Sequence, residues 1–358
     1  MNLRNKNLAI AIPSLGMGGA ERVVSELANE FVQLGINVNI IMLDKDEVYY
    51  QIDKKVKIHF VDYNKNKNKF LRNRERIKKY KELLKKERID VVLSFLTSAN
   101  FLSILATRGT KIKVYVSERS DPNVNTNIIK IVRNLLYLLC DGVICQTNDA
   151  KDYFPNCIQK KSKVIKNPIK ENLPCWSDIQ EHEKIIVTAV RLEKFKNIPL
   201  LIQAFSNIEK QYKDYKLLIY GDGPEYKNIE EKINELHLKD KVILKGRSNE
   251  WHKQAVRSEI FVLSSDYEGM SNSLLEALAM GMPVISTDHP IGGAREVIEN
   301  GKNGFLVPIK NVDILSKKLV ELIENKELQK KFSKEAQKIK QTMNIKIIAK
   351  EWMEFIFK

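Results

Sequence analysis

Cysteine is sparse in this sequence, and no two cysteines form a C-x-x-C pair. The four, Cys140, Cys145, Cys157 and Cys175, have no histidine at a zinc-finger spacing. Neither a disulfide framework nor a structural metal is expected, and the thiols read as reduced and cytosolic. Long apolar runs are also missing. No stretch of eighteen apolar residues occurs, so no transmembrane helix is expected. The first apolar run covers only residues 8–13, with glycine and charge soon after. A buried first strand explains it better than a signal peptide. Glycine and proline number only 15 and 10 in 358 residues, which argues against disorder.

The length suits two ordinary domains, and 43% hydrophobic residues can fill a core in each. The net charge of +15 is unevenly spread. Residues 65–88 hold twelve Lys or Arg against three Glu, well over half of the excess.

Apolar runs of strand length alternate with helical patterns. Residues 8–13, 38–43, 56–61, 91–95, 113–116 and 142–145 read as strands, with helices predicted at 20–34, 70–87, 99–107, 127–139 and 150–154. The rhythm restarts after residue 180, with strands at 184–190, 217–220, 242–245, 260–263, 284–286 and 305–307. Helices are predicted there at 198–210, 229–236, 273–280 and 312–324. A β-then-α order implies α/β domains with parallel sheets covered on both faces. The polar, proline-broken stretch from Asn167-Pro168 through Pro174 to Glu183 reads as the linker. This gives domains at 1–170 and 171–340, with a C-terminal helix at 341–358 expected to pack back on the first domain. Ligands of such sheets bind beyond the carboxyl ends of the strands.

Three loops at strand ends can carry chemistry. Gly16-Met17-Gly18-Gly19-Ala20-Glu21 opens a helix whose free amides favour anions. Glu21 stands where a dinucleotide fingerprint needs its third glycine, so NAD binding is disfavoured, and a tight turn without ligand is the alternative. Arg191-Leu192-Glu193-Lys194-Phe195-Lys196-Asn197 places cations at a helix start. An arginine fork and a mobile lysine suit a diphosphate, although a solvated basic turn would look the same. In Glu268-Gly269-Met270-Ser271-Asn272-Ser273-Leu274-Leu275-Glu276, the first carboxylate sits in a loop and can accept from sugar hydroxyls. The second lies about one turn inside a helix and can take a ribose diol. Surface charge is the bland alternative. It suits Glu276 poorly, since its neighbours are apolar.

Two glutamates separated by seven residues within S-S-D-Y-E-G-M-S-N-S-L-L-E-A-L-A-M-G-M-P-V resemble the signature of glycosyltransferase family 4. Four further motifs resemble that family in the right order: I-P-S-L-G-M-G-G-A-E-R, R-L-E-K-F-K-N, Y-G-D-G-P and E-N-G-K-N-G-F-L-V-P. The resemblance implies the GT-B fold, two Rossmann-like doubly wound domains with an interdomain cleft, and transfer with retention at the anomeric carbon. It also implies roles. Arg191 and Lys196 would hold the donor diphosphate, Glu268 the donor sugar and Glu276 the ribose. Amides around Met270, Ser271, Asn272, Ser273 and Leu274 would serve phosphate and sugar. Gly18 and Gly19 would approach the diphosphate from the other domain, and Gly246 and Arg247 would lie near the base. The chain departs from the family where many members carry a first-domain histidine. Ser117-Glu118-Arg119-Ser120 stands there, and a guanidinium cannot exchange protons near neutral pH. Glu118 or Arg119 would position donor or acceptor instead. The five histidines read as surface or packing residues.

Asp44-Lys45-Asp46 is a D-x-D string, but it follows the second strand, far along the chain from the donor motifs. It reads as a polar loop. No cofactor or metal is expected beyond the nucleotide sugar as co-substrate. Residues 70–84 read as an amphipathic helix with Leu71, Ile77, Tyr80 and Leu84 on its apolar side. Arg72, Arg74, Arg76, Lys78 and Lys79 would meet an anionic membrane or a lipid-linked diphosphate. A solvated face is the alternative. Nucleic acid is not expected, because aromatics are not interleaved as a stacking platform.

The resulting expectation is a retaining transferase that moves a hexose or N-acetylhexosamine from a nucleotide sugar, UDP-linked by preference. The acceptor would be a lipid-linked or nascent surface glycan. The enzyme would be cytoplasmic and peripheral at the inner face of the membrane. The alternatives are a sugar-nucleotide epimerase of the same fold and a non-catalytic anionic-lipid-binding protein.

Overall fold

The computed structural model describes residues 6–179 and 181–358. Among these residues the chain forms two compact units. One ends at Pro168 and regains Ile345–Lys358; the other is Ile169–Asn344.

The first unit holds strands β1 (Asn7–Ile12), β2 (Asn37–Met42), β3 (Lys57–Phe60), β4 (Val91–Phe95), β5 (Lys113–Ser117), β6 (Gly142–Cys145) and β7 (Ser162–Val164). They lie in the order β3-β2-β1-β4-β5-β6-β7, and all neighbours are parallel. Helices α1 (Gly19–Gln33), α2 (Lys69–Lys86), α3 (Thr97–Thr107), α4 (Asn127–Tyr137), α5 (Asn148–Asp152) and α6 (Asn156–Gln159) connect them. Apart from Asn7 and Ser94, β1 and β4 are apolar, because both faces of a covered parallel sheet are buried. β7 and α6 were not predicted. Each is a few residues long and leaves little periodicity to read.

In the second unit, β8 (Glu183–Ala189), β9 (Lys216–Tyr220), β10 (Val242–Gly246), β11 (Ser258–Leu263), β12 (Val284–Thr287) and β13 (Phe305–Val307) form a parallel sheet ordered β10-β9-β8-β11-β12-β13. Helices α7 (Ile198–Ile208), α8 (Tyr226–Glu235), α9 (Trp251–Ala255), α10 (Asn272–Met280), α11 (Val312–Glu324) and α12 (Lys326–Ala336) surround it. Part of the stretch read as linker is packed core. Trp176 is buried, and its indole N–H donates to the carbonyl of Ser258 at 2.9 Å.

The last helix, α13 (Ile345–Ile356), belongs to the first unit. Trp352 is fully buried and stacks on Phe95 with centroids 5.4 Å apart.

Helix α2 corrects the sequence reading at two positions. Arg76 is buried rather than available to a membrane. Its guanidinium donates to the carbonyl of Leu43 and lies 4.6 Å from the Tyr63 ring. Leu71 is exposed, while Tyr80 and Leu84 form the buried stripe. The long arginine side chain carries its charge to a backbone acceptor while its stem packs as a hydrophobe. Asp44 of the D-x-D string accepts from Tyr63 Oη at 2.7 Å and lies 3.9 Å from Arg76, so its carboxylate helps seat α2.

Candidate active site

In the second sheet β8 is flanked by β9 on one side and β11 on the other, so the strand order reverses at β8–β11. Loops leaving the carboxyl ends of two such strands face one crevice, the usual ligand position in doubly wound sheets. The loop after β8 is residues 191–197, and the loop after β11 is 264–271. Sequence places these loops some seventy residues apart, and the sheet makes them neighbours.

The two loops are bonded to each other. The amide of Asp266 donates to the Phe195 carbonyl at 2.7 Å, and Ser264 Oγ donates to the Lys196 carbonyl at 3.0 Å. Asn197 Nδ2 donates to Asp266 Oδ1 at 2.8 Å. Asn197 adopts a left-handed backbone, φ 45°, and its side chain also caps α7 through Leu200 N. Phe195 stacks on Tyr267 with centroids 4.7 Å apart.

This clasp brings two of the motif residues into contact. Lys196 Nζ donates to Glu268 Oε1, and Ser265 Oγ donates to Glu268 Oε2 at 3.1 Å. The lysine is buried and its ammonium also lies 5.3 Å from the Phe195 ring. Arg191 stands at the rim, with 74% of its side chain exposed and Nε 3.1 Å from Glu193 Oε1. Its guanidinium is open to solvent, whereas the Lys196 ammonium is enclosed.

Helix α10 follows directly. Ser271 is its N-cap residue and is buried, with Oγ 3.2 Å from Ser273 Oγ. Leu274 through Met280 are all buried, so the helix is enclosed on every side after its first two residues. Glu276 lies one turn inside and is buried among apolar neighbours; Met270 is buried ahead of the cap. Gly281, φ 80°, closes the helix in the left-handed conformation.

A third loop was missed by the sequence reading. Residues 288–296 follow β12, the neighbour of β11. A Cβ on Gly293 would overlap the carbonyl oxygen of Gly269, next to Glu268, and would lie 3.3 Å from His289 Cε1. His289 is buried, with Nδ1 3.1 Å from the Pro290 carbonyl and Nε2 unpartnered. Ile291 adopts φ 69°, costly for a β-branched side chain. The Gly292-Gly293 pair was the available signal, since paired glycines often mark a close backbone approach.

Other candidates fall elsewhere. Gly246 ends edge strand β10 and Arg247 follows it, two strands from β8 and so about 10 Å across the sheet. In the first unit, Gly18 caps α1 and Gly19 begins it, with the Glu21 carboxylate folded back over Gly18. Glu118 is buried. It accepts from Tyr137 Oη, and burial raises its carboxyl above the usual range, opposed by nearby Arg133. Arg119 donates to Asn167 Oδ1 and lies 5.4 Å from the Phe95 ring; burial and neighbouring Arg22 lower its guanidinium pKa. A recess of about 230 Å³ beside the β8 loop is lined by Glu193, Glu225, Asp266 and Lys194 among others. Its acidic wall suits a diphosphate poorly, and neither Lys196 nor Glu268 lines it.

Comparison with known proteins decides the class. Residues 17–173 match the model described as Glycosyltransferase Family 4, and residues 170–339 match Glycosyl transferases group 1. The chain belongs to glycosyltransferase family 4. The enzyme is 31% identical over 369 residues to an N-acetylgalactosamine-N,N'-diacetylbacillosaminyl-diphospho-undecaprenol 4-alpha-N-acetylgalactosaminyltransferase of Campylobacter jejuni, covering 98% of this chain and 99% of the relative. It is 26% identical, over 98% of both chains, to a second Campylobacter jejuni transferase. That relative is an alpha-1,4-N-acetyl-D-galactosaminyltransferase acting on a diNAcBac-PP-undecaprenol glycan. Among solved structures, sucrose-phosphate synthase from Thermosynechococcus elongatus superposes with TM-score 0.84 at 17% identity, covering 98% of each chain. Anabaena HepE in complex with UDP and glucose gives TM-score 0.83 at 17% identity, covering 98% of this chain and 99% of that one. The enzyme therefore has the GT-B fold.

Proposed function

We propose that the enzyme moves a hexose or N-acetylhexosamine from a uridine diphosphate sugar to a lipid-linked glycan, with retention at the anomeric carbon. The observation that carries this reading is the Lys196–Glu268 contact at the strand-order reversal, directly ahead of the buried α10 start. Support for the acceptor comes from two full-length relatives named as transferases to diphospho-undecaprenol glycans, and for the donor from a structural neighbour that holds UDP.

The chemistry follows from the charges. Without donor, Glu268 compensates the buried Lys196, because an unpaired buried ammonium would cost several kcal/mol. A diphosphate supplies that compensation instead. Lys196 and Arg191 then face phosphate oxygens, and Glu268 is released to accept hydrogen bonds from the sugar hydroxyls. As the bond from the anomeric carbon to the phosphate oxygen breaks, negative charge grows on the diphosphate and is met by both cations and the α10 amides. The acceptor oxygen bonds to the same face of the anomeric carbon, and its proton passes to the departing phosphate oxygen. Glu276 holds the ribose diol. In this scheme the two cations and the α10 amides meet the leaving diphosphate with no divalent metal, so EDTA is expected to leave turnover unchanged.

The test is a thermal-shift screen of nucleotide sugars, followed by NMR of the product's anomeric coupling. A ligand of the folded state raises its stability with concentration over Kd. Glu276→Ala should weaken donor binding, and Arg191→Ala should also cut turnover by roughly 10²-fold or more. Normal kinetics in both variants would reject the site, and an inverted product would reject retention.

A further inference from the structure

Helix α4 is built inside out. Its buried residues are Arg133 and Tyr137, while Ile128, Ile131 and Leu135 are 75%, 61% and 60% exposed. Ile129, Val132, Leu138 and Leu139 extend the outward apolar strip. Positions 128, 131, 132 and 135 repeat at helical spacing, so they form one continuous stripe, and Leu138 and Leu139 lie in the turn that follows it.

The orientation is locked from within. Tyr137 Oη donates to the buried Glu118 carboxylate and accepts from Asn100 Nδ2 at 2.8 Å. Arg133 Nη1 donates to the Pro122 carbonyl at 3.1 Å, and its guanidinium lies 5.2 Å and 5.0 Å from the Tyr153 and Phe154 rings. Rotating α4 to bury its apolar stripe would break every one of these contacts and strip the buried Glu118 carboxylate of the Tyr137 donor. The fold therefore holds a large apolar strip in water by means of buried polar anchors, and patches of this kind mark interaction surfaces.

Two observations choose the occupant. Helices α2, α3 and α4 lie side by side, tied by Tyr80 Oη to Ser103 Oγ at 3.2 Å and by the Asn100–Tyr137 bond. Helix α2 presents outward Lys69, Arg74, Lys78 and Lys79, with Phe70 76% exposed at its start. A second copy of a chain with net charge +15 would bring like charges together along this layer, whereas an anionic surface would neutralise them. We propose that the exposed stripe of α4 inserts into the interfacial zone of an anionic phospholipid bilayer, with the α2 cations resting on the headgroups. An interfacial helix buries its apolar face just below the headgroups in this way. The inference rests on the lipid-linked-acceptor reading only for its purpose; the surface stands on its own.

The test is flotation of the full chain with phosphatidylglycerol-containing vesicles and with neutral phosphatidylcholine vesicles. The wild type should float with the anionic vesicles. The Ile128→Ser/Ile131→Ser/Leu135→Ser variant should lose at least about tenfold in partition while its thermal melt and UDP-induced shift persist. Lys78→Glu/Lys79→Glu should weaken binding at low salt and abolish its salt dependence. If the serine variant misfolds, Ile131→Trp substitutes for it, and its emission should shift to the blue when anionic vesicles are added. Unchanged flotation of a folded serine variant, or no shift from the tryptophan, overturns the proposal. So does a wild-type dimer that the serine substitutions dissociate with vesicle binding intact. A UDP-sugar shift absent from a protein that still floats would sink the UDP-sugar donor reading and leave the lipid surface standing.

Discussion

Gly293 has no room for a methyl group, because the carbonyl of Gly269 occupies the space where a Cβ would go. The partner is backbone, so nothing can swing aside, and the loop bearing Glu268 would have to move. Gly293→Ala should destabilise the second unit by about 1–3 kcal/mol and weaken donor binding, which a melt with and without UDP-sugar would measure. His252 illustrates a different constraint. Burial and nearby Lys170 depress its pKa from 6.5 to about 4. The unfolded chain binds a proton near pH 6.5 that the folded chain refuses until about pH 4. Stability from this site is thus complete above pH 6.5 and drains away as pH falls through that window. Urea midpoints of His252→Gln should fall less steeply with acid than those of the wild type; parallel slopes would assign the acid loss elsewhere.

At the scale of elements, α2 separates two kinds of cation that look alike in the sequence. Arg76 is buried and hydrogen-bonded to the Leu43 carbonyl, whereas Lys78 points to solvent. Arg76→Ala should cost about 1–3 kcal/mol in a denaturant melt, because it leaves a buried acceptor unmet. Lys78→Ala should stay within about 0.5 kcal/mol. Equal costs would mean that the Arg76 contact carries no energy. Simple periodicity misassigned this face because a helix pattern rich in Lys and Arg offers only a few apolar markers, and Leu71 proved to be outside the stripe that Tyr80 and Leu84 define. Helix α4, for which the sequence analysis assigned no face, shows a different limit. Its apolar period is plain in the sequence, but periodicity reports that a face exists and not which way it turns.

At the scale of the whole molecule, the first unit is completed by the last residues of the chain. Trp352 fills its core against Phe95, and Ile348, Ile356 and Phe357 join the same cluster. Trp352→Ala should cost about 3–5 kcal/mol, and removal of Ile345–Lys358 should unfold the first unit. A truncated chain with native hydrogen-exchange protection in β1 and β4 would contradict this.

The alternation of strands and helices, the restart of the pattern after residue 180 and the five ordered motifs were all present in the sequence, because burial on both faces of a parallel sheet imposes apolar runs that can be read directly. The residue types at Arg191, Lys196, Glu268 and Glu276 were legible for the same local reason, since their loops break apolar strands. Tertiary structure decided which of them touch. Lys196 meets Glu268 only because β8 and β11 are neighbours in the sheet, and a strand order is not written in any local window. The burial of Arg76, the approach of Gly293 to Gly269 and the outward turn of α4 likewise depend on partners distant along the chain. Local sequence sets the period and the chemistry, and long-range packing sets direction and company.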